Sequence, residues 1–172
     1  ESVRLQLMLP GTCDPKEMEL FRNRVEQVCG EEEVASPEVG SMLEVPRACL
    51  LSGEIALLSD FCAFGTGDLT EAACGLSRYD SQLSFLPSYL EQGVFRDDPF
   101  LRIDRKGVGV LMEIAAEQIR ALNTKLELGI CGAQAVHPES LQFCHDLGLA
   151  YVSAPPRTVP ILRLICAQML EK

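Results

Sequence analysis

FCAFGTGDLT, Phe61 to Thr70, is the stretch on which the reading of the whole chain turns. Phe61-Cys62-Ala63-Phe64 is a short apolar run, and Gly65-Thr66-Gly67 interrupts it before a segment rich in Ala and Leu. That order predicts a buried strand opening at its C-terminal end into a loop, with Asp68 near the loop's centre. In parallel α/β architectures, chemistry is placed at such strand ends.

The same alternation recurs on both sides. Upstream, Val3 to Leu9 is strand-like and Pro10-Gly11 ends it. Asp14 as N-cap, Pro15 at the first helical position and Glu17 three residues after the cap then predict a helix start. Met18, Phe21, Val25 and Val28 fall on one face of that helix, and Gly30 is expected to close it in a left-handed conformation. Val39 to Val45 is the second strand, ending at Glu44, and Pro46 opens a helical segment containing Leu50, Leu51 and Ile55.

Downstream, the Gly, Ser and Pro residues between Cys74 and Pro99 predict a long excursion with short helical pieces. Val108, Leu111, Ala115, Ile119 and Leu122 outline an amphipathic helix. Leu126 to Gly132 is a fourth strand, Pro138 to Leu147 a helix terminated by Gly148, Ala150 to Ser153 a fifth strand, and Pro160 to Leu170 a last helix. Five strands alternating with helices imply a parallel sheet, because parallel neighbours need a crossover between them. A closed (β/α)8 barrel takes about 250 residues. The expected fold is therefore α/β, a C-terminal portion of a TIM (β/α)8 barrel with about five βα units. Residues 1–172 form a single domain in this reading, with an N-terminal portion of the barrel missing.

Composition narrows the function. With 47% hydrophobic and 23% charged residues, the chain has the make-up of an ordinary globular protein. A net charge of −10 opposes nonspecific attraction to nucleic acid or anionic membrane. No apolar run approaches the roughly 18 to 20 residues needed to cross a bilayer, and Glu1-Ser2-Val3-Arg4-Leu5 lacks the layout of a signal peptide. The eight cysteines include no CxxC pair, and most lie inside apolar patterns. They read as reduced thiols of a cytoplasmic or organelle-matrix protein.

Strand order brings Glu44, Asp68 and Cys131 to one rim, with Ser153 nearby. Two carboxylates on adjacent strands make an oxygen-rich site suited to Mg²⁺ or Mn²⁺. Each also has a plain structural reading, Glu44 as a cap of the following helix and Asp68 as a cap of the Leu69 turn. Cys131 sits between two glycines, where a thiol can exchange a proton with a substrate, or can simply pack. Gly65-Thr66-Gly67 offers backbone N–H groups to an anion. Arg78, in the loop region after the third strand, suits phosphate or carboxylate, or a surface ion pair. His137 and His145 have no visible nucleophile partner and read as structural.

Longer stretches carry a resemblance: GSMLEVPRA (Gly40 to Ala48), FGTGDLT, GLSRYD (Gly75 to Asp80), DPF (Asp98 to Phe100), GVG (Gly107 to Gly109), LGICG (Leu128 to Gly132), FCHDLGLAYVS (Phe143 to Ser153) and VPILRLICAQ (Val159 to Gln168). In this order they resemble the C-terminal PEP/pyruvate-binding barrel domain of the pyruvate, phosphate dikinase family of PEP-utilising enzymes. The resemblance implies a Mg²⁺-dependent phosphotransferase that exchanges a phosphoryl group between an enzyme phosphohistidine and pyruvate enolate. It implies Glu44 and Asp68 as metal ligands and Cys131 as proton donor to the methylene carbon. Thr66, Gly67, Asp68 and Arg78 become substrate contacts. It also implies pyruvate/phosphoenolpyruvate as ligand, phosphohistidine and nucleotide-binding domains as partners, a homo-oligomer, and a cytoplasmic or plastid location.

The chain departs from that pattern at three places. Gly67 stands where the family has Asn, Ala133-Gln134-Ala135-Val136 where it has Glu, His and two glycines, and Ala154-Pro155-Pro156-Arg157 where it has Cys-Ser-Pro-Phe. The alternative expectation is thus a catalytically degenerate barrel fragment serving as a binding or assembly module, and on either reading the isolated chain is expected to be inactive. A metal-dependent aldolase acting on pyruvate enolate shares the carboxylate pair but leaves DPF, GVG and FCHDLGL unexplained.

Overall fold

The computed structural model describes residues 4–122 and 125–170. Five strands, β1 (Gln6–Leu9), β2 (Glu38–Leu43), β3 (Phe61–Gly65), β4 (Glu127–Cys131) and β5 (Tyr151–Ser153), form one sheet in the order 1-2-3-4-5. Every neighbouring pair is parallel. Each crossover carries helix: α1 (Pro15–Glu31), then α2 (Pro46–Leu50) and α3 (Ser52–Leu57), then α4 (Thr66–Cys74), α5 (Arg78–Leu83), α6 (Leu86–Glu91) and α7 (Val108–Leu122), then α8 (Pro138–Asp146). The last helix, α9 (Val159–Leu170), follows β5. An unbroken sequential order is that of a barrel wall, whereas a doubly wound sheet reverses direction at a switch point.

The period of two along each strand sorts side chains onto two faces. Val39, Leu43, Cys62, Phe64, Leu128 and Ile130 point to the helix-covered face, where Met18 of α1, Ile55 of α3 and Met112 of α7 complete the core. The buried stripe of α7, Val108, Met112, Ala115, Ala116 and Ile119, has the spacing of a single helix face. On the opposite face the side chains are small or lie flat. A Cβ added to Gly40 would meet the Phe61 ring at 2.6 Å, and one added to Gly129 would meet the Tyr151 ring at 2.3 Å. These two glycines let aromatic rings lie across the neighbouring strand.

Local signals account for the element ends. Asp14 accepts from Lys16 N–H at 2.9 Å, while Glu17 accepts from Asp14 N–H at 3.2 Å, completing the capping box of α1. Gly148 takes φ +70° just after α8, as a terminator should. Three expectations need correction. Gly30 lies inside α1, and the left-handed residue is Glu33 (φ 53°), because Glu32 N–H bonds back to Val28 and carries the helix past the glycine. Val28 is 38% exposed, since this last turn of α1 runs beyond the sheet it covers. Strand boundaries are also tighter than the pattern suggested: β2 stops at Leu43, and β1 starts at Gln6, with Val3 outside the described residues.

The end of the sheet away from the strand C-termini is tied by one acid. Both carboxylate oxygens of Asp60 accept from Arg22 Nη2 at 2.9 Å, and Oδ2 also accepts from Val39 N–H at 2.8 Å. Burial alone would push its carboxyl up, but Arg22 and the Val39 amide outweigh that and hold it below its usual value of 3.8. A depressed carboxyl contributes stability above that value and loses it as pH falls through its lower native value. Asp60→Asn is expected to cost about 1 kcal/mol at neutral pH, discounted for partial exposure, and to flatten the acid limb of stability below 3.8. Denaturant melts across pH check both.

β1 and β5 are the sheet's edges, and Leu5 and Leu7 are exposed beside the first. Produced as these 172 residues alone, the chain is therefore expected to self-associate. Sizing chromatography checks this, and a sharp monomer peak contradicts it.

Candidate functional site

Glu44 leaves β2 one residue past the Leu43–Phe64 pairing, and Gly65, Cys131 and Ser153 stand at the same level on β3, β4 and β5. Residues at one level of a parallel sheet share a face. The Glu44 side chain lies over Gly65, where an added Cβ would come within 2.6 Å of its Oε2. From the other side, Gly11 N–H at the exit of β1 donates to Glu44 Oε1. The glycine ending β3 is thus required by the acid ending β2, a relation visible in sequence only once the strands are aligned.

The expected loop after β3 is absent. Thr66 begins α4 directly, so Thr66, Gly67 and Asp68 form its first turn, and Gly65, the N-cap, provides no side-chain cap. Helix wins over loop for three local reasons: Leu69 is fully buried, Thr70 Oγ1 donates to Thr66 C=O at 2.7 Å, and an acid in the first turn suits the helix dipole. Asp68 is thereby exposed on the rim, facing Glu44.

Burial first, and then the neighbouring Asp68 carboxyl, push the Glu44 carboxyl above its usual value, against the opposing pull of the Gly11 N–H. No cationic side chain enters that balance. The pair therefore sets two hard oxygen donors face to face, which suits a divalent cation. Among the described residues, no group of three or more His, Cys, Asp or Glu side chains is placed to hold a metal. Among the described residues, a cation at this place could take these two carboxylates, as in Mg²⁺ sites completed by water and substrate oxygens.

Gln134 is the residue the sequence did not mark. It lies in a short 3₁₀ turn, Ala133–Val136, just beyond β4 and is fully buried. Its Oε1 accepts from Thr66 Oγ1 at 2.9 Å, and its Nε2 approaches Thr66 C=O, Thr70 Oγ1 and Pro99 C=O, each at 3.2 Å. Gly132 allows this closeness, because a Cβ there would run into the Thr66 hydroxyl. One amide thus ties the first turn of α4 to the end of β4 beside Cys131. The signal available was a lone amide between two alanines directly after a strand.

Arg78 is not in a loop but opens α5, capped by Ser77, which accepts from Asp80 N–H at 3.4 Å. Its guanidinium stacks on Phe100, 5.1 Å from the ring centroid, and Phe100 is itself fixed by the Asp98 carboxylate accepting its N–H at 2.8 Å. That gives the DPF stretch a physical role. Cys131 is partly exposed at the end of β4, whereas burial pushes Cys49 and Cys144 up to about 12 and Cys62 up to about 11. Those three thiols are packing residues. His137 caps α8, its Nδ1 accepting from Glu139 N–H at 3.3 Å.

A cavity of about 590 Å³ lies elsewhere, between α8, β5 and α9. Leu141, Leu149, Val152 and Leu162 line it, and no carboxylate does. Its lining is mainly apolar, with His145 and Arg163 also on it, and it lies apart from the carboxylate rim.

The profile of the family described as PEP-utilising enzyme, PEP-binding domain matches residues 1–170. The chain is 43% identical over 170 residues to pyruvate, phosphate dikinase 2 of Oryza sativa subsp. japonica, covering 96% of this chain and 19% of that protein. It is 40% identical over 171 residues to the pyruvate, phosphate dikinase of Giardia intestinalis, with the same two coverages. It thus spans about a fifth of the length of these relatives. Among solved structures, the citrate lyase beta subunit of M. tuberculosis, complexed with oxaloacetate and magnesium, superposes with a TM-score of 0.53 at 16% identity, over 93% of this chain and 60% of that one. Citrate synthase SbnG gives 0.53 at 14% identity, over 96% and 62%. Those two likenesses bear on the fold, an α/β arrangement of five βα units of a TIM (β/α)8 barrel.

Proposed function

The chain belongs to the PEP-utilising enzymes, as their PEP-binding domain, and on that premise we propose that it forms, as one domain, the pyruvate/phosphoenolpyruvate site of a pyruvate, phosphate dikinase-like phosphotransferase. The observation that carries this reading is the Glu44–Asp68 pair, with Glu44 at the strand level of Cys131 and no cationic side chain acting on it. Glu44 and Asp68 are the residues that would hold Mg²⁺, with Mn²⁺ as a substitute. Bound there, the ion supplies positive charge to an enolate oxygen.

The chain's own residues do the rest. Toward phosphoenolpyruvate, Cys131 as thiolate takes a methyl proton from pyruvate, and the enolate oxygen so formed accepts the phosphoryl group of a phosphohistidine. In reverse, the thiol returns that proton to the methylene carbon as the phosphoryl group leaves. The first turn of α4, at Thr66 and Gly67, and the Arg78 guanidinium bind the substrate's anionic end. The phosphohistidine and the nucleotide site belong to other domains of a longer enzyme, a homo-oligomer in the cytoplasm or a plastid. Among the described residues no helix is long and apolar enough to cross a membrane.

Titration of the full-length protein with Mn²⁺ in the presence of oxalate, a mimic of the enolate, tests this. Saturable binding is expected, weakened at least about tenfold by Glu44→Gln. An identical titration for that variant, or no binding by wild type, favours the binding-module reading that Gly67 and the Ala133–Val136 turn suggest.

A further inference from the structure

Ser153 ends β5 at the register position of Cys131 on β4. Register partners on neighbouring parallel strands share a face and stand about 4.8 Å apart at the backbone, within reach of a hydroxyl-to-sulfur hydrogen bond. The lean of β5 toward β4 is visible one step below. Tyr151, on the same face two residues before Ser153, lays its ring across Gly129, two residues before Cys131, so closely that a Cβ there would collide with it. Its hydroxyl reaches past β4 and donates to Cys62 C=O at 3.1 Å. Side chains on this face of β5 are thus directed over β4, and the next after Tyr151 is Ser153.

Two other hydroxyls lie close to the end of β4, and both are engaged. Thr66 Oγ1, beside Gly132, donates to Gln134 Oε1 at 2.9 Å, and Tyr151 is held by Cys62 C=O. Ser153 is exposed and, among the described residues, has no hydrogen-bond partner. It is therefore the hydroxyl left free at the level of the thiol.

Resting on the function proposed above, we propose that Ser153 is a positioning residue for proton transfer: its hydroxyl donates a hydrogen bond to the Cys131 thiolate and aims the sulfur at the methyl carbon of the substrate. A hydrogen bond given to the charged form of a group favours that form, so the serine favours the thiolate that the reaction needs. The hydroxyl keeps its own proton throughout. When the methyl C–H bond breaks, the proton goes to sulfur and the electron pair to the enolate oxygen. The charged and titratable side chains on the elements around the thiol are Tyr151 on β5, Arg157 in the turn after it, Glu44 past β2, Asp68 on α4, Arg78 on α5 and Glu127 at the far end of β4. Serine is neutral throughout the working pH range, so removing its hydroxyl changes hydrogen bonding and leaves all these charges in place.

The test follows Cys131 itself in the full-length protein, with its alkylation by iodoacetamide read from the Cys131 peptide by mass spectrometry from about pH 6 to about pH 10. Ser153→Ala is expected to slow alkylation about 3- to 10-fold at neutral pH and to match or exceed wild type at the alkaline end, where the thiol is ionised with or without the serine. Mg²⁺-dependent exchange of pyruvate methyl protons is expected to fall by a similar factor, with Mn²⁺ and oxalate affinities kept within about twofold. Ser153→Thr, which retains the hydroxyl, is expected to hold both rates within about twofold of wild type. An alkylation curve for Ser153→Ala that overlays the wild-type curve overturns the hydrogen bond. So does slowing by one factor at every pH, which would mean changed access to the thiol. A displaced alkylation curve with unchanged exchange overturns the role in proton transfer, and joint loss of Mn²⁺ and oxalate binding with a lowered melting temperature would make Ser153 merely structural. Exchange that Cys131→Ala abolishes and Ser153→Ala leaves untouched overturns this inference while the proposed function stands. No exchange in the wild type overturns the proposed function itself.

Discussion

Asp68→Ala in the full-length enzyme is expected to lower metal-dependent pyruvate turnover by about 10²- to 10³-fold while shifting stability by less than about 1 kcal/mol. The two effects separate because of where Asp68 stands. It is exposed in the first turn of α4, so its loss removes only a modest interaction with the helix dipole, and relief of its repulsion with Glu44 works in the opposite direction. On the proposed function its carboxylate would nonetheless be half of the chain's contribution to a divalent cation at the rim. With Glu44 alone, one oxygen donor group remains, and an enolate oxygen loses the positive charge that would stabilise it. Steady-state turnover at saturating Mg²⁺, set beside a thermal melt, checks both halves. Turnover within about threefold of wild type contradicts the assignment, and a large loss of stability would make Asp68 structural.

The second large effect is on folding. Gln134→Leu is expected to destabilise the domain by about 3 to 5 kcal/mol. Leucine resembles glutamine in size, so the loss is not chiefly a cavity. It strands the Thr66 hydroxyl and the Pro99 carbonyl and takes one bond each from the Thr66 carbonyl and the Thr70 hydroxyl, all of which meet the buried Gln134 amide. Each polar group buried without its partner costs about 1 to 3 kcal/mol, and the four are not additive, because Thr70 keeps its bond to Thr66 C=O. For a domain of this size, about 2 to 4 °C per kcal/mol places the melting temperature about 10 °C lower. A shift within about 2 °C would mean that the amide is not the pin between α4 and the end of β4.

These two residues also mark how far the sequence can be read. The βα alternation, the capping box at Asp14, the β3 strand and the shared level of Glu44 and Cys131 at the strand ends follow from period, caps and breakers, which are local in sequence. The start of α4 was hidden because Gly65-Thr66-Gly67 carries the composition of a loop. Helix there depends on Leu69 being buried and on Gln134 reaching back across 68 positions of sequence. Gln134 stands where the family pattern has a carboxylate and an imidazole, and its structural role rests on partners from two separate segments, α4 and Pro99. Gly67 had read as a missing amide, while the space it leaves is filled by a guanidinium from the next helix. Side-chain substitution across elements has no periodic signature, so such pairs become legible only when the strands are registered.

Exchange of pyruvate methyl protons with solvent, followed by NMR on the full-length protein, probes the enolate chemistry without requiring phosphoryl transfer. Mg²⁺-dependent exchange is expected in the wild type, with loss of at least about 10²-fold in Cys131→Ala. No exchange in the wild type, or exchange that Cys131→Ala leaves unchanged, contradicts proton transfer by Cys131 at a rim formed by Glu44 and Asp68.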